Sequence, residues 1–303
     1  MATNRKQSTR KLLMTDPIGF CYNEQTAASN AFQKKTSYNS IESEYLARKE
    51  FNLFVDQLVQ KGVDVLVANG QKNTPDAVFP NNVFGTTHDG QFIYFPMANE
   101  NRRREREIGY DQLLQNHGYN ITETIYLNDL EQQGQFLEGT GSMIFHHPSE
   151  TIFMTRSIRS HENALNAFCE NNPHNVILLN ALDAHQREIY HTNVVLSIGS
   201  QWMMACLDAI PEGGAVKSWC DENQMTLIKI NMAQMNDFGA NILEVEGKNN
   251  PLGVFSETAW KAYDAQQKRA LEKFLEPLIV SIPTIETIGG GSARCMMAEI
   301  FLP

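Results

Sequence analysis

The sequence lacks the features that mark membrane and secreted proteins. No stretch approaches the roughly 18 apolar residues of a membrane span, and the opening MATNRKQSTRKLL has no apolar core of a signal peptide. The five cysteines are odd in number and widely spaced, and none forms a C-x-x-C pair. Such usage favours reduced thiols over a disulfide framework. These absences predict a cytoplasmic protein that does not bind a membrane.

Positive charge is also scarce, because 25 Lys and Arg face 35 Asp and Glu, for a net charge of -10. Nucleic acids and anionic membranes attract positive patches, so neither is an expected partner. The only dense basic run, 102–106, contains a glutamate and is typical of a solvated helix face. With 303 residues and 42% apolar content, the chain can bury a full core. We expect residues 1–303 to form a single domain.

A repeat organises the chain. Five strings, each a polar or glycine-bearing step followed by a β-rich run, recur roughly every fifty residues, a period typical of repeat architectures. The intervals between them read strand, strand, helix, strand, and the fourth contains a long predicted helix, ETAWKAYDAQQKRALEKFLE. The strings are FPNNVFG from Phe79, FLEGTGSMIF from Phe136, YHTNVVLSIG from Tyr190, FGANILEV from Phe238 and GGGSARCMMAEIF from Gly289. Five ββαβ units predict a closed, pseudo-symmetric ring.

The fifth unit runs out at the chain end, but the N-terminus supplies what it lacks: the β-rich KLLMTDPIGFC, a helix and the strand VDVLVA. Pairing of the two terminal strands would close the ring without an exposed edge and place Cys295 near its axis. The alternative is an open doubly wound α/β sheet. A phosphate-binding role for Gly289–Gly291 is excluded, because no helix follows them. Glycines kept here indicate positive φ or a close approach to the backbone.

The polar steps at the start of the units are expected to place reactive and hydrogen-bonding side chains together at one end of the ring. A cysteine, a histidine and a carboxylate together form the set used in thiolate catalysis. Taken singly, each has a structural interpretation, since a buried cysteine is usually a small hydrophobe. Backbone N–H groups of the glycine run and the cation of Arg294 favour a thiolate. The neighbouring His146 and His147 point oppositely on a strand and predict no metal site. The candidates are Asn81, Asn82, Glu138, His191, Asn193 and Cys295.

The strings TPDAVFPNN, FLEGTGSM, YHTNV and GGGSARCMMAEIF, in this order, resemble the guanidine-modifying superfamily of arginine deiminases, amidinotransferases and dimethylarginine hydrolases. They are most similar to its citrulline-utilisation, amidinotransferase-like branch. The resemblance covers essentially the whole chain and implies a five-bladed α/β propeller. It also implies that Cys295 attacks a guanidino or ureido carbon, that His191 is the general acid and base, and that Glu138 positions the substrate and supports the histidine. No cofactor or metal is implied.

Two departures from the deiminase pattern point to the substrate. Deiminases grip the guanidinium with aspartates where this chain has Asn82 and Asn193. A broken buried charge pair costs about 3–5 kcal/mol, whereas an asparagine amide matches both the acceptor and the donors of a neutral urea. These positions predict a citrulline hydrolase that yields ornithine, ammonia and carbon dioxide, with both asparagines holding the urea.

Arginines complete the predicted site. Bidentate hydrogen bonds suit a substrate α-carboxylate, so Arg159 and one arginine of the basic run, Arg103, are predicted clamps, with Arg294 as a further substrate-binding cation. Two kinds of alternative remain open. One is an arginine or dimethylarginine deiminase, or an amidinotransferase; the other is a non-catalytic binding propeller. The expected partner is a small amino acid, and homo-oligomerisation remains compatible with the sequence.

Overall fold

The structure is a computed structural model that describes residues 5–303, so residues 1–4 of the predicted domain lie outside the described residues. Within this range, fifteen strands form five three-stranded sheets. In every sheet the middle strand pairs antiparallel with one neighbour and parallel with the other. The strands are β1 (Lys11–Asp16), β2 (Asp64–Asn69), β3 (Phe84–Thr86), β4 (Gln91–Tyr94), β5 (Glu123–Tyr126), β6 (Met143–His146), β7 (Thr151–Thr155), β8 (Asn175–Leu179), β9 (Leu196–Ile198), β10 (Trp202–Ala205), β11 (Thr226–Lys229), β12 (Leu243–Glu246), β13 (Pro251–Ser256), β14 (Glu276–Val280) and β15 (Ala298–Glu299).

Helices connect the middle strand of each sheet to its parallel partner, and short helical turns precede the inner strands. The α-helices described are α1 (Glu24–Ala27), α2 (Ser40–Gln60), α3 (Glu100–Arg103), α4 (Tyr110–Asn116), α5 (Gly139–Ser142), α6 (Glu162–Asn171), α7 (Gly213–Glu222), α8 (Met232–Asn236), α9 (Glu257–Ala262), α10 (Ala265–Leu271) and α11 (Pro283–Gly289). The 3-10 turns are Pro80–Asn82, Arg104–Ile108, Asn128–Gln133, His147–Ser149, Thr192–Val194, Leu207–Ala209 and Ala293–Met296. No helix within residues 5–303 has both the length and the apolar character needed to cross a bilayer.

The two ends of the chain share a sheet, as the repeat predicts. β15 runs antiparallel to β1, with Leu12 opposite Glu299 and Leu13 opposite Ala298, and β1 runs parallel to β2. The inner strands contact one another around the ring, β15 with β3, β6 with β9, and β9 with β12. The prediction of a five-bladed α/β propeller closed by its terminal strands is therefore confirmed, and the open doubly wound sheet is excluded.

Burial follows from the sequence pattern of each blade. β7, Thr151–Thr155, is buried along its whole length, as expected of a middle strand covered on both faces. α6 buries Ala164, Leu165 and Phe168, which lie on one face because residues three and four apart are neighbours on a helix. Apolar layers of this kind form the core between each sheet and its helix.

The prediction of one long helix in the fourth unit is wrong, because the helix is interrupted between α9 and α10. Tyr263 is extended, with φ -73° and ψ 142°. Asp264 then accepts hydrogen bonds from the backbone N–H groups of Gln266 and Gln267, and the Gln267 side chain bonds back to the Asp264 N–H. This capping box starts a new helix. The helical periodicity on both sides of the break conceals it in the sequence.

Candidate active site

The steps before the inner strands converge at one end of the ring. Asn82 ends the 3-10 turn before β3, Glu138 immediately precedes α5, His191 precedes the turn before β9, and Cys295 lies in the turn before β15. All four side chains are buried. Equivalent positions in different blades therefore present their side chains to one shared interior, as the repeat predicts.

Two asparagines hold the Cys295 sulfur. Asn193 Nδ2 lies 3.4 Å and Asn241 Nδ2 lies 3.3 Å from Cys295 Sγ. Asn241 is fixed in turn, since its Oδ1 accepts a 3.0 Å hydrogen bond from the Arg294 backbone N–H. Hydrogen bonds donated to a sulfur favour its anionic form. The site thus has two amide donors aimed at the sulfur of Cys295.

His191 is held by Glu138. Its Nε2 lies 2.9 Å from Glu138 Oε2, which is also 3.5 Å from Arg159. Burial alone would raise the pKa of Glu138, but Arg159, His191 and Arg102 together lower it well below the usual range. Burial also lowers the pKa of His191, with Glu138 partly offsetting the effect. The result is an ionised carboxylate that orients a neutral imidazole.

A small cavity of about 20 Å³ joins Cys295 and His191. Asp76, which is not among the predicted site residues, also lines this cavity. Asp76 Oδ2 accepts hydrogen bonds from Asn23 Nδ2 at 2.7 Å and Thr26 Oγ1 at 3.0 Å, while its Oδ1 has no hydrogen-bond partner among residues 5–303. Burial raises the pKa of Asp76, partly offset by Arg102. The full lining is Thr26, Asn30, Asp76, Phe79, Asn82, Arg102, Arg159, Tyr190, His191, Gly289, Gly290, Gly291 and Cys295.

Gly289, Gly290 and Gly291 line the cavity, and the structure shows why these positions are glycines. Gly290 ends α11 with φ +65°, a left-handed conformation that suits glycine. A Cβ added to Gly289 or Gly291 would lie 2.8 Å from the Phe79 ring, closer than side chains pack. Both reasons expected for keeping glycines here, positive φ and close approach, are present in the structure.

The structure brings some predicted arginines to the cavity and leaves others outside. Arg159 lines it, and its guanidinium donates to Ser29 Oγ and to the Thr26 carbonyl. Arg103 instead donates to backbone carbonyls of Met97 and Ala98, so it lies outside the lining.

Arg294 also points away, with its guanidinium bonded to the Met297 carbonyl and Glu299. The arginine of the basic run that reaches the cavity is Arg102, which is 3% exposed. Its guanidinium forms two 2.9 Å bonds to Glu105. Interpreting 102–106 as a solvated helix face is therefore wrong at Arg102, because an ion pair with a buried glutamate compensates its burial.

The amides of the two predicted urea-binding residues already have partners. Asn82 Oδ1 accepts from Arg102 at 2.8 Å, and its Nδ2 donates to the Glu138 carbonyl at 3.3 Å. Asn193 donates to the Cys295 sulfur. Asn82 lines the cavity, whereas Asn193 reaches the site only through that sulfur.

Asp76 and Asn241 are the site residues that sequence reasoning missed. Both lie in strings already singled out, Asp76 in TPDAVFPNN and Asn241 in FGANILEV. Asn241 occupies the step of the fourth unit, so its register in the repeat was the available signal. Asp76 precedes the step of its unit by several residues, and only the path of the intervening loop brings it to the cavity.

Replacing Asn241 should weaken the nucleophile. Asn241→Ala removes one of the two amide donors on the sulfur, so we expect alkylation of Cys295 by iodoacetamide at neutral pH to slow by about tenfold, the effect of one hydrogen bond to a charged group. Asn52→Ala, on the exposed face of α2, serves as the matched control. Equal alkylation rates for wild type and Asn241→Ala would remove Asn241 from this role.

Comparison with known proteins places the chain in a family. The family profile described as "N,N dimethylarginine dimethylhydrolase, eukaryotic" matches residues 16–302. No curated protein sequence matches the chain.

Solved structures share the fold. The substrate-bound N-terminal domain of ArgZ, an arginine dihydrolase from the ornithine-ammonia cycle in cyanobacteria, has a TM-score of 0.76 at 15% identity and covers 96% of this chain and 99% of that domain. The complex of AgrE with ornithine and NAD+ has a TM-score of 0.77 at 16% identity, covering 97% of this chain and 39% of that one. DDAH from Pseudomonas aeruginosa, complexed with citrulline, has a TM-score of 0.67 at 13% identity, covering 96% and 99%.

Proposed function

Because the chain belongs to the N,N-dimethylarginine dimethylhydrolase family of the guanidine-modifying superfamily, we propose that it is a cysteine-dependent hydrolase of the guanidino group of arginine or an N-methylated arginine. The nucleophile is Cys295, the general acid and base is His191, and Glu138 orients the imidazole. Residues 1–303 would act as one catalytic unit. The fold shared with an arginine dihydrolase and with a citrulline-binding DDAH supports this class of ligand.

The chemistry proceeds in two balanced steps. His191 takes the thiol proton of Cys295 as the sulfur attacks the guanidino carbon, a C–N bond breaks, and His191 passes this proton to the departing amine. The carbon remains bonded to sulfur as a thiouronium. His191 then takes a proton from water, the resulting hydroxide adds to the same carbon, and the C–S bond breaks. His191 returns its proton to the sulfur, and the new hydroxyl gives its proton to the released amine. The products are ammonium or a methylammonium ion and the ureido amino acid, and the Cys295 thiol is restored.

A cationic substrate is favoured by one observation: the carboxylate oxygen Oδ1 of Asp76 has no hydrogen-bond partner among residues 5–303. Arg102 is paired with Glu105, and Arg159 with Glu138. Positions 82 and 193 carry no charge, whereas Asp76, when ionised, carries a charge that no ion pair among residues 5–303 compensates. Ionised Asp76 therefore gives the cavity one negative charge in excess. Its Oδ1, which has no hydrogen-bond partner among residues 5–303, is an acceptor for a guanidinium N–H. A bound guanidinium would neutralise the site.

Substrate entry requires movement of the segment that covers the cavity, residues 23–33. Asn30 Nδ2 donates to the carbonyls of Gly289 and Gly290, and Gln33 Nε2 donates to Ile288. A space of about 20 Å³ has room for about one water and is far too small for an arginine. An arginine-sized ligand enters only when these hydrogen bonds break and the covering segment opens.

Citrulline is the second candidate substrate, and the asparagines favour it. A neutral urea would leave the Asp76 charge uncompensated but could exchange hydrogen bonds with Asn82 if Arg102 shifted. If the enzyme continued from arginine through citrulline, cleavage of both remaining C–N bonds of the ureido carbon, with one more water consumed, would give ornithine, a second ammonia and carbon dioxide.

A substrate panel tests the proposal. Pure protein is incubated with arginine, dimethylarginine, citrulline and, as a control that lacks the α-carboxylate, agmatine. The amines, ureido compounds and ornithine released are quantified. We expect turnover of a guanidino substrate with a ureido product. Turnover of citrulline alone would refute the guanidino proposal in favour of the ureido one, and transfer of the amidino group to an added amine would indicate an amidinotransferase.

The pH dependence of catalysis should report Asp76. Guanidinium binding requires an ionised carboxylate, and the pKa of Asp76 is raised by burial. As the pH falls through this raised pKa, Asp76 takes up a proton and kcat/KM for arginine declines, beginning above the ordinary aspartate value of about 4. Profiles of kcat/KM against pH for wild type and Asp76→Asn provide the check. An unchanged acidic limb in the variant would assign it to another group.

A further inference from the structure

A second cavity, of about 290 Å³, lies between the first two blades and the C-terminal segment. Its walls come from the β3–β4 hairpin, the β6–β7 hairpin, the end of α6 and the residues around β15. It shares no lining residue with the cavity of Cys295. The proposed hydrolysis makes no use of it.

Flat, uncharged rings form much of its wall. The His147 ring stacks on Phe145 with centroids 5.5 Å apart and an interplanar angle of 5°, and Phe301 lies 4.5 Å from both His88 and His147. Burial lowers the pKa of His88 and, more strongly, of His147, so both imidazoles are neutral near pH 7. Residues 5–303 contain no cluster of three His, Cys, Asp or Glu side chains able to hold a metal ion.

The charged side chains at this cavity are already paired. Arg5 lies 2.6 Å from Asp89 and 3.1 Å from Glu150, and Glu299 lies 3.2 Å from Arg294. Arg5 is shared by two carboxylates, but both are exposed to solvent, Asp89 at 66% and Glu150 at 37%, so no buried charge here is left without a partner. The cavity therefore suits an uncharged ligand.

Hydrogen-bonding capacity is unused at the same place. Asn81 Oδ1, His88 Nε2 and Asn172 Nδ2 are buried and have no hydrogen-bond partner in the described part of the chain, and all three residues line this cavity. The Asn81 side-chain nitrogen donates to Thr140 Oγ1 at 3.2 Å, which identifies the free atom as the amide oxygen. Buried polar groups without a hydrogen bond are unfavourable, so these three atoms are available to bind a ligand.

From these features we infer that the cavity is a second ligand site for a small, planar, uncharged heterocycle carrying both an N–H donor and a carbonyl acceptor. Its volume is close to the lower end for small-molecule pockets, about 300 Å³, and matches one or two fused rings. The ligand stacks on the His147 and Phe301 rings. Its N–H is bound by Asn81 Oδ1 and its carbonyl by Asn172 Nδ2.

Calorimetric titration of the full chain with hypoxanthine tests this site. Hypoxanthine carries both functions, and indole, of similar size, lacks the carbonyl. We expect saturable 1:1 binding of hypoxanthine, at least about tenfold tighter than indole, because one lost hydrogen bond is worth about that factor. Asn172→Leu should weaken hypoxanthine binding by a similar factor. Asn166→Leu, on the exposed face of α6, should leave it unchanged.

Several outcomes would overturn the inference. They are the absence of hypoxanthine binding, equal affinity for indole, equal affinity in Asn172→Leu, and displacement of hypoxanthine by the amino-acid substrate, which would place it in the Cys295 cavity. Circular dichroism and thermal unfolding of both variants show whether the fold is intact. If Asn172→Leu does not fold, Phe301→Ala provides the same comparison, because loss of the stacked ring should also weaken binding.

Discussion

Replacing Cys295 by serine should reduce turnover of the guanidino substrate by about four powers of ten or more, the scale seen when a catalytic nucleophile is removed. The hydroxyl fits the space of the thiol beside Asn193 and Asn241, so the fold and substrate binding should survive. Steady-state kinetics gives the loss, and calorimetry with the substrate gives the retained affinity.

A matched cysteine variant separates chemistry from packing. Cys169 is half-buried outside the site, and Cys169→Ser should retain full activity. Comparable activity in Cys295→Ser and wild type would exclude thiolate catalysis. It would instead support the binding propeller that the sequence leaves open.

Asp76→Asn should reduce kcat/KM for arginine by about two to four powers of ten, because removing one partner of a buried charge pair costs about 3–5 kcal/mol. Turnover of citrulline, if present, should change by less than tenfold, since the neutral urea makes no ion pair. The variant should fold, because an asparagine oxygen can still accept from Asn23 and Thr26. Kinetics with both substrates measures the split.

The control for this variant is Asp56→Asn, which changes the same charge on the exposed face of α2 and should leave both substrates unaffected. An Asp76→Asn enzyme that keeps arginine turnover and loses citrulline turnover would reverse the assignment. The neutral-urea interpretation of Asn82 and Asn193 would then hold.

The fold could be predicted because its units repeat. Each of the five polar or glycine-bearing strings has the same position relative to the strands of its unit, so five sequence patterns that are weak alone together predict the fold. The pairing of β1 with β15 follows from the incomplete fifth unit. The break at Tyr263 could not be predicted in this way. A helical pattern continues through it, and only the local bonds of Asp264 end one helix and start the next.

Site residues could be predicted only at positions that are equivalent from one repeat unit to the next. Glu138, His191 and Cys295 lie on equivalent steps, and the structure brings them to one end of the ring. Asp76 lies outside that register, on a loop. The choice between Arg102 and Arg103 depends on which side of a short helix faces inward, since consecutive residues on a helix point about 100° apart. An alternating run of charges does not specify that side.

Mass spectrometry of the intact protein, acid-quenched during turnover of arginine, tests most directly whether Cys295 forms the covalent intermediate. We predict a species heavier than the free enzyme by the mass of arginine less ammonia, mapped by peptide digestion to Cys295 and absent from Cys295→Ser. Turnover in which no adduct accumulates in wild type or in His191→Asn, where release should be slowed, or an adduct on another residue, would contradict nucleophilic catalysis by this thiolate.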